Sequence, residues 1–459
     1  VAAGFNALLG PKGWVNVILM SALNLSEPPI EFINTLTAIL VAHVFYNTTI
    51  VLRLVGDFWS RLDPKLNQAA AILGANRWQV LTKVTLPLLM PVITAAAIFI
   101  FIFDFTSFGV VLILGGSQYA TLEVEIFYQT ISLFNLPLAA VLSILQLGCT
   151  LVLTVVYTRL STRISRPLNL RSPHYIQKRL TTLKSRIFAG WVVGTLLIFL
   201  STPLLALATR SIISLETRRD REGEIDRGLT LAFYRELSEN RQESLFYVSP
   251  TTAVGISLSY AAATVLLSLI VGTPAAWALA RNQEAVLSRL LDPIIMLPLG
   301  TSAVTLGLGF IVALAHPPLD LRTSPLLIPI AHTLVAFPFV VRSLTPALRS
   351  IQPRLRQAAA LLGASPLQVI RHIDVPLVGR ALLVAATFAF TISIGEFGAT
   401  SLISRPEYPT VPVVIYRLLS RPGGLNYGQA LALSTILMGV AISGMLAIER
   451  FRIAELGEF

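Results

Sequence analysis

Long apolar runs separated by short polar stretches set the pattern of this chain. Ala95–Gly116 (AAAIFIFIFDFTSFGVVLILGG) and Ala261–Ala280 (AAATVLLSLIVGTPAAWALA) each supply the roughly 20 residues that carry a helix across a bilayer. Such runs predict helix, because a helix satisfies its own backbone hydrogen bonds where no water is available. Segmenting by apolar length predicts spans near 33–55, 84–114, 137–160, 187–209, 251–280, 292–315, 325–342, 375–403 and 428–448, with 1–20 as the tail of a further span. Pro274, Gly300, Gly307 and Gly309 fall inside these runs, which membrane helices tolerate better than soluble ones.

The polar connections orient the spans. Arg159–Arg186 holds eight Lys and Arg residues and no Asp or Glu, which predicts a cytoplasmic linker by the positive-inside bias. Counting outward places the C-terminus and the connections around 68–87 and 357–376 on that same side. The stretch Arg210–Ser249, with acids and bases nearly balanced, then falls outside.

Those two connections spell nearly the same phrase, QAAAILGANRWQVLTKVTLP from Gln68 and RQAAALLGASPLQVIRHIDVP from Arg356. Gln68 and Gln357 lie 289 positions apart, and the same offset pairs His43 with His332, Gly74 with Gly363, Pro87 with Pro376, and Tyr119 with Tyr408. Further on, the register slips by two, so that Leu142-Ser143 meets Leu433-Ser434 at 291. Because both phrases face one side, the halves are expected to be parallel repeats about an axis along the membrane normal. The expected organisation is a first half over 1–160, a basic linker over 161–186, and a second half of six spans over 187–459. The first half shows only part of the spans that precede the phrase in the second. With Val1 in place of a Met, this leads to the expectation of a first half truncated at its N-terminus.

Composition agrees with a polytopic membrane protein. The chain is 54% hydrophobic and 13% charged, with a mean hydropathy of +0.73, against about 25% charged residues in soluble domains. The net charge of +11 sits between the apolar runs, where the membrane bias places it, so no nucleic-acid partner is expected. Cys149 is the lone cysteine and lies within an apolar run, which excludes an intrachain disulfide. No G-x4-G-K-[ST] phosphate loop occurs, so neither ATP binding through such a loop nor a catalytic site is expected. His43 and His332 occupy matching places without close sequence neighbours of ligand type, predicting a structural role and no metal. Asp104 and Glu396 lie in or at the ends of long apolar runs, with Glu396 aligned to Ser107. A carboxylate at that depth is costly unless it meets a partner or a water-filled path, so Asp104, Ser107 and Glu396 are candidates for a translocation path.

The doubled phrase carries a specific resemblance. Ala-Ala, three residues and Gly-Ala leave little bulk on one side, which suits close approach by another protein. The phrases resemble the EAA loop of permease subunits of binding-protein-dependent ABC importers, patterned E-A-A-x3-G-x9-I-x-L-P. The resemblance covers Ala69, Ala70, Gly74, Val84, Leu86 and Pro87 in one copy, and Ala358, Ala359, Gly363, Ile373, Val375 and Pro376 in the other. Gln68 and Gln357 replace the leading Glu, and Ala75 and Ala364 complete each motif. The resemblance implies an all-α fold of two type I importer permease halves. It also implies coupling helices that dock two separate ATP-binding-cassette subunits, which would use ATP-Mg, and a bacterial inner-membrane location. The outer loops over 115–135 and 404–427 would receive an extracytoplasmic binding protein.

Two fused halves resemble thiamine and ferric-iron importer permeases. The stretches GWVNVIL, ILVAHVFYNTTIVLRL, SFGVVLILGGSQYATLEVEIFYQTIS and ISIGEFGATSLI with PTVPVVIYRLL lean toward thiamine, and GEFGA within the last is also similar to molybdate and sulfate permeases. The alternative class is an ion-coupled secondary transporter built from parallel repeats.

Overall fold

The computed structural model describes residues 1–164, 182–214, 228–239, 248–281, 294–295, 297–314, 321–322 and 324–454. Most of the basic linker and of the polar stretch after Arg210 lies outside the described residues. Eight described helices are long and apolar enough to cross a bilayer: Leu36–Ser60, Arg77–Phe105, Leu136–Val156, Leu183–Arg210, Pro250–Ala280, Leu327–Ser350, Pro366–Gly395 and Gly424–Ile448. The chain is thus an all-α polytopic membrane protein with two repeat-like halves; the described residues also include a two-residue strand pair, Ile213–Ser214 with Gly228–Leu229.

Several boundaries differ from the apolar segmentation, each for a visible reason. The run at 292–315 contains the short helix Ala303–Ala313, begun by Ser302, whose hydroxyl accepts from the backbone of Val304 and Thr305. At 11 residues this helix is too short to span. Residues 1–20 form two short helices, Ala2–Leu9 and Trp14–Leu23, broken where Gly10-Pro11-Lys12-Gly13 interrupts the pattern. The runs at 84–114 and 375–403 each divide. Their long helices end at Phe105 and Gly395, and separate one-turn helices follow at Gly109–Leu114 and Gly398–Ile403.

The 289-residue register reappears as element for element correspondence. Pro64–Ile72 answers to Pro353–Leu361, Arg77–Val80 to Pro366–Val369, and Trp14–Leu23 to Ala303–Ala313. Two compact units emerge from backbone proximity. One comprises Val1–Val124 with Ile144–Leu207, and the other Glu125–Ser143 with Ala208–Phe459. Residues 125–143 belong to the first repeat yet pack within the second unit.

Each unit has its own apolar centre. In the first, Phe5 meets Phe32 and Phe45, with Ala38, Ala42 and Leu114 completing the cluster. In the second, helices Pro250–Arg281, Leu327–Ser350 and Val375–Gly395 share Ala276, Ala336, Val340, Leu344, Ala385 and Ala389. Small residues let these helices approach closely, since lipid supplies no hydrophobic drive between them. At Gly272 a Cβ would lie 2.6 Å from Val340 Cγ1, so this crossing admits only glycine without movement. Ile144, Val152, Leu197, Ile198 and Leu266 point away from the protein, as lipid-facing positions of spanning helices do.

Candidate functional site

The two candidate coupling loops share one geometry, which their sequences explain residue by residue. In the first, Asp63 accepts from Lys65 N–H at 3.0 Å and Pro64 opens the helix Pro64–Ile72, an ordinary capped start. The helix stops at Gly74, whose φ of +84° is closed to most residues; Gly363 has the same value. Gly74 N–H bonds Ala71 O at 3.0 Å and Ala75 N–H bonds Ala70 O at 3.1 Å. Gly363 and Ala364 bond Ala360 and Ala359 in the same way, both at 3.0 Å. These are Schellman caps, so Ala-Ala-x3-Gly-Ala is a helix-stop signal.

Nothing in this chain lies within 4 Å of a Cβ built on Gly74 or Gly363, and the φ of +84° alone favours glycine at both positions. What each loop presents outward is apolar: Ile72 and Leu73 are 86% and 87% exposed, and Leu361 and Leu362 are each 89% exposed. Trp78 and Leu367 stand beside them in their respective loops, also exposed. Each loop thus carries a matched knob of large apolar side chains facing outward, the kind of surface on which a partner could dock. Gln68 and Gln357 are exposed, and nothing in the structure accounts for a neutral amide at these positions.

After each knob a second helix starts on a reciprocal capping box. Asn76 pairs with Gln79 in the first loop, and Ser365 with Gln368 in the second. The chain then runs on into the spanning helices Arg77–Phe105 and Pro366–Gly395 without a break. Leu81–Thr85 and Ile370–Asp374 are single π-helical turns inside continuous helices. Leu86 N–H reaches Leu81 O, and Val375 N–H reaches Ile370 O. Pro87 and Pro376 come next and carry no N–H; the wider turn absorbs the missing bond without breaking the helix.

Each π-turn is also tied back to the helix before the glycine cap, Pro64–Ile72 or Pro353–Leu361, by different chemistry in the two copies. Thr85 Oγ1 donates to Asn67 Oδ1 at 3.2 Å. At the equivalent positions Arg356 Nε donates to Asp374 Oδ1 at 2.8 Å. Sequence reasoning passed over this tie, since its partners stand 18 residues apart and differ in type between copies.

The candidate path residues converge on the paired histidines. His43 Nε2 lies 3.0 Å from Ser107 Oγ, and its Nδ1 lies 3.8 Å from Asp104 Oδ2. His332 Nδ1 lies 2.8 Å from Ser393 Oγ, and its Nε2 lies 3.2 Å from Glu396 Oε2 and 2.7 Å from Thr400 Oγ1. Asp104 aligns with Ser393, and Ser107 with Glu396. Each histidine therefore sits between a serine and a carboxylate, and the two partners exchange places between the halves. The sequence analysis found the histidines and acids separately; the 61 to 64 residues that separate the partners concealed the pairing.

The two acids have different surroundings. Asp104 accepts from Tyr46 Oη at 2.8 Å and from Asn47 Nδ2 at 2.9 Å, and its side chain is 26% exposed against 4% for Glu396. Glu396 accepts from the backbone N–H groups of Ala399 and Thr400, at 2.8 and 3.0 Å, at the start of the helix Gly398–Ile403. The Thr400 hydroxyl also donates to Glu396. With that proton committed, the hydrogen between Thr400 and His332 belongs to Nε2. Among the described residues no group of three His, Cys, Asp or Glu side chains is placed to hold a metal ion.

The family described as the binding-protein-dependent transport system inner membrane component matches residues 14–166 and 272–454. The chain is 26% identical over 423 residues to the thiamine transport system permease protein ThiP of Escherichia coli K12, covering 90% of this chain and 72% of that protein. It is 28% identical over 268 residues to a putative 2-aminoethylphosphonate transport system permease protein, PhnV, of Salmonella typhimurium, covering 58% of this chain and 95% of that one. Among solved structures, a bacterial ABC transporter involved in import of the acidic polysaccharide alginate aligns with a TM-score of 0.47 and 17% identity, over 60% of this chain and 99% of that one. With both halves matched, the chain belongs to the binding-protein-dependent transport system inner membrane component family and is a non-catalytic permease subunit of an ABC importer.

Proposed function

We propose that this chain forms the alternating-access pathway of an ATP-driven importer, and that its two coupling loops dock separate ATP-hydrolysing subunits. The observation that carries the reading is the pair of equally capped, equally exposed knobs, Ile72-Leu73 and Leu361-Leu362. Gln68, Ala69, Ala70, Gly74, Ala75 and Pro87 form one docking element, and Gln357, Ala358, Ala359, Gly363, Ala364 and Pro376 the other. ATP-Mg is used by the partners, and the π-turns pass their movement to the helices Leu86–Phe105 and Val375–Gly395. An extracytoplasmic binding protein delivers cargo, and the loops and C-terminus face the cytoplasm.

The cargo is thiamine or ferric iron, with thiamine favoured. The resemblance to a thiamine permease over 90% of the chain supports this, as does a partly exposed carboxylate, Asp104, next to a path-candidate serine, Ser107. A fixed carboxylate at membrane depth suits a cation and repels an oxyanion. The test is radiolabelled uptake by the reconstituted permease, ATPase subunits and candidate binding proteins. Thiamine uptake that requires ATP supports the reading, and uptake driven by an ion gradient without an ATPase would favour the secondary-transporter class.

A further inference from the structure

The carboxylates beside the paired histidines differ in how much of their hydrogen-bonding capacity the chain itself fills. An ionised carboxylate offers about four lone-pair sites. Around Glu396 the backbone N–H groups of Ala399 and Thr400, the Thr400 hydroxyl and His332 Nε2 meet them. Around Asp104, Oδ1 accepts from Tyr46 Oη and Asn47 Nδ2, whereas Oδ2 accepts from Asn47 Nδ2 alone, at 3.0 Å. His43 Nδ1, 3.8 Å from Oδ2, is too distant to fill the remaining position. That position stays open on a side chain that is 26% exposed, against 4% for Glu396.

The two repeats differ here in sequence as well. Tyr46 and Asn47 align with Val335 and Ala336 at the 289-residue register, so the second half has no counterpart of the polar pair that holds Asp104. There the carboxylate stands at the start of the helix Gly398–Ile403 and takes that helix's N–H groups. In the first half it stands in the last turn of Leu86–Phe105 and is met by side chains of Leu36–Ser60 instead. Among the described residues no Lys or Arg pairs with Asp104.

A second unmet acceptor belongs to the same cluster. Asn47 turns its amide nitrogen toward Asp104, because an ionised carboxylate only accepts. Its Oδ1 is then left buried without a partner among the described residues. A buried acceptor without a donor is costly, and this one lies on the amide that holds the open carboxylate. Tyr46, Asn47 and Asp104 all belong to the first compact unit.

Resting on the importer reading above and deepening it, we propose that Asp104 and Asn47 form a binding site in the first half for organic cations that carry N–H donors, such as an amidinium or an aminopyrimidine. The ligand's N–H supplies to Asp104 what the chain's own donors supply to Glu396, and its charge makes the bond charge-assisted. The amide oxygen of Asn47 is the second acceptor within the site. A metal ion would need further His or carboxylate ligands, and among the described residues no group of three is placed to hold one. A fully substituted ammonium brings charge without a donor and gains only part of the interaction.

The test uses the full chain with its ATPase subunits in nanodiscs, without binding protein or nucleotide, and reads binding by equilibrium dialysis. Labelled benzamidine, trimethylphenylammonium and benzoate are the probes. Benzamidinium should bind at least tenfold tighter than trimethylphenylammonium, and benzoate should not bind. Asp104→Asn keeps the side chain's size and should weaken benzamidinium at least tenfold. Asp57→Asn removes an exposed carboxylate paired with Arg61 and should leave binding within twofold. Benzamidinium held equally by the Asp104→Asn protein, or not bound at millimolar concentration, would overturn the site. An equal loss with Asp57→Asn would reduce the effect to net charge and overturn it too, and trimethylphenylammonium bound as tightly would overturn the donor requirement. If no binding protein stimulates ATP hydrolysis by the unmodified complex, the importer reading fails, while the dialysis still reports on the site.

Discussion

Arg356 donates to Asp374 at 2.8 Å, clamping the helix Pro353–Leu361 to the π-turn Ile370–Asp374, where the other half joins Asn67 to Thr85 through neutral groups. The first of these ties is charge-assisted, and such bonds are about twice as strong as neutral ones. Arg356→Ala leaves Asp374, 8% exposed, without this partner, at a cost of about 2 kcal/mol. Arg356→Ala should lower binding-protein-stimulated ATP hydrolysis about tenfold, and Thr85→Val less than threefold. Equal effects would mean that the two loops do not differ in stiffness.

The Schellman caps and the apolar knobs can be separated by substitution. Gly74→Ala with Gly363→Ala strains both loops at φ +84°, by about 1 kcal/mol each, and should weaken ATPase-subunit binding several-fold. Ile72→Ser with Leu73→Ser alters side chains 86% and 87% exposed, so thermal stability should hold within about 0.5 kcal/mol. Co-purification with ATPase subunits should nevertheless fall at least tenfold. Retained co-purification would show that docking uses another surface.

The two histidine networks should respond unequally to truncation. His332→Ala removes a partner from Glu396 in a site with 4% exposure, and loss of one member of a buried pair costs about 3 kcal/mol. His43→Ala should cost less, because Asp104 keeps Tyr46 and Asn47 and is 26% exposed. Melting in detergent, followed by fluorescence, measures both.

Asp104→Asn should reduce uptake of a cationic cargo about tenfold, a loss of about 1.4 kcal/mol, while leaving ATPase-subunit binding unchanged. Unaltered uptake would assign Asp104 to structure alone.

Much of this was legible in the sequence. Run length located the eight spanning helices along with a ninth run at 292–315 whose helix is too short to span, and the 289-residue register exposed both halves and both loops. The failures have physical causes. Hydropathy cannot tell one long helix from a helix, a break and a one-turn helix, as at Phe105–Gly109 and Gly395–Gly398. The Ser–carboxylate exchange around His43 and His332 joins residues more than 60 positions apart, so no local spacing announces it. Alignment at the register did place Glu396 opposite Ser107; the same alignment applied to Asp104 and Ser393 would have disclosed the exchange.

The most direct measurement reconstitutes the full chain with candidate ATPase subunits and reads ATP hydrolysis as binding protein and cargo are added. The account requires severalfold stimulation that disappears when Ile72-Leu73 and Leu361-Leu362 are all replaced by serine. Hydrolysis indifferent to both the binding protein and those four side chains would contradict it.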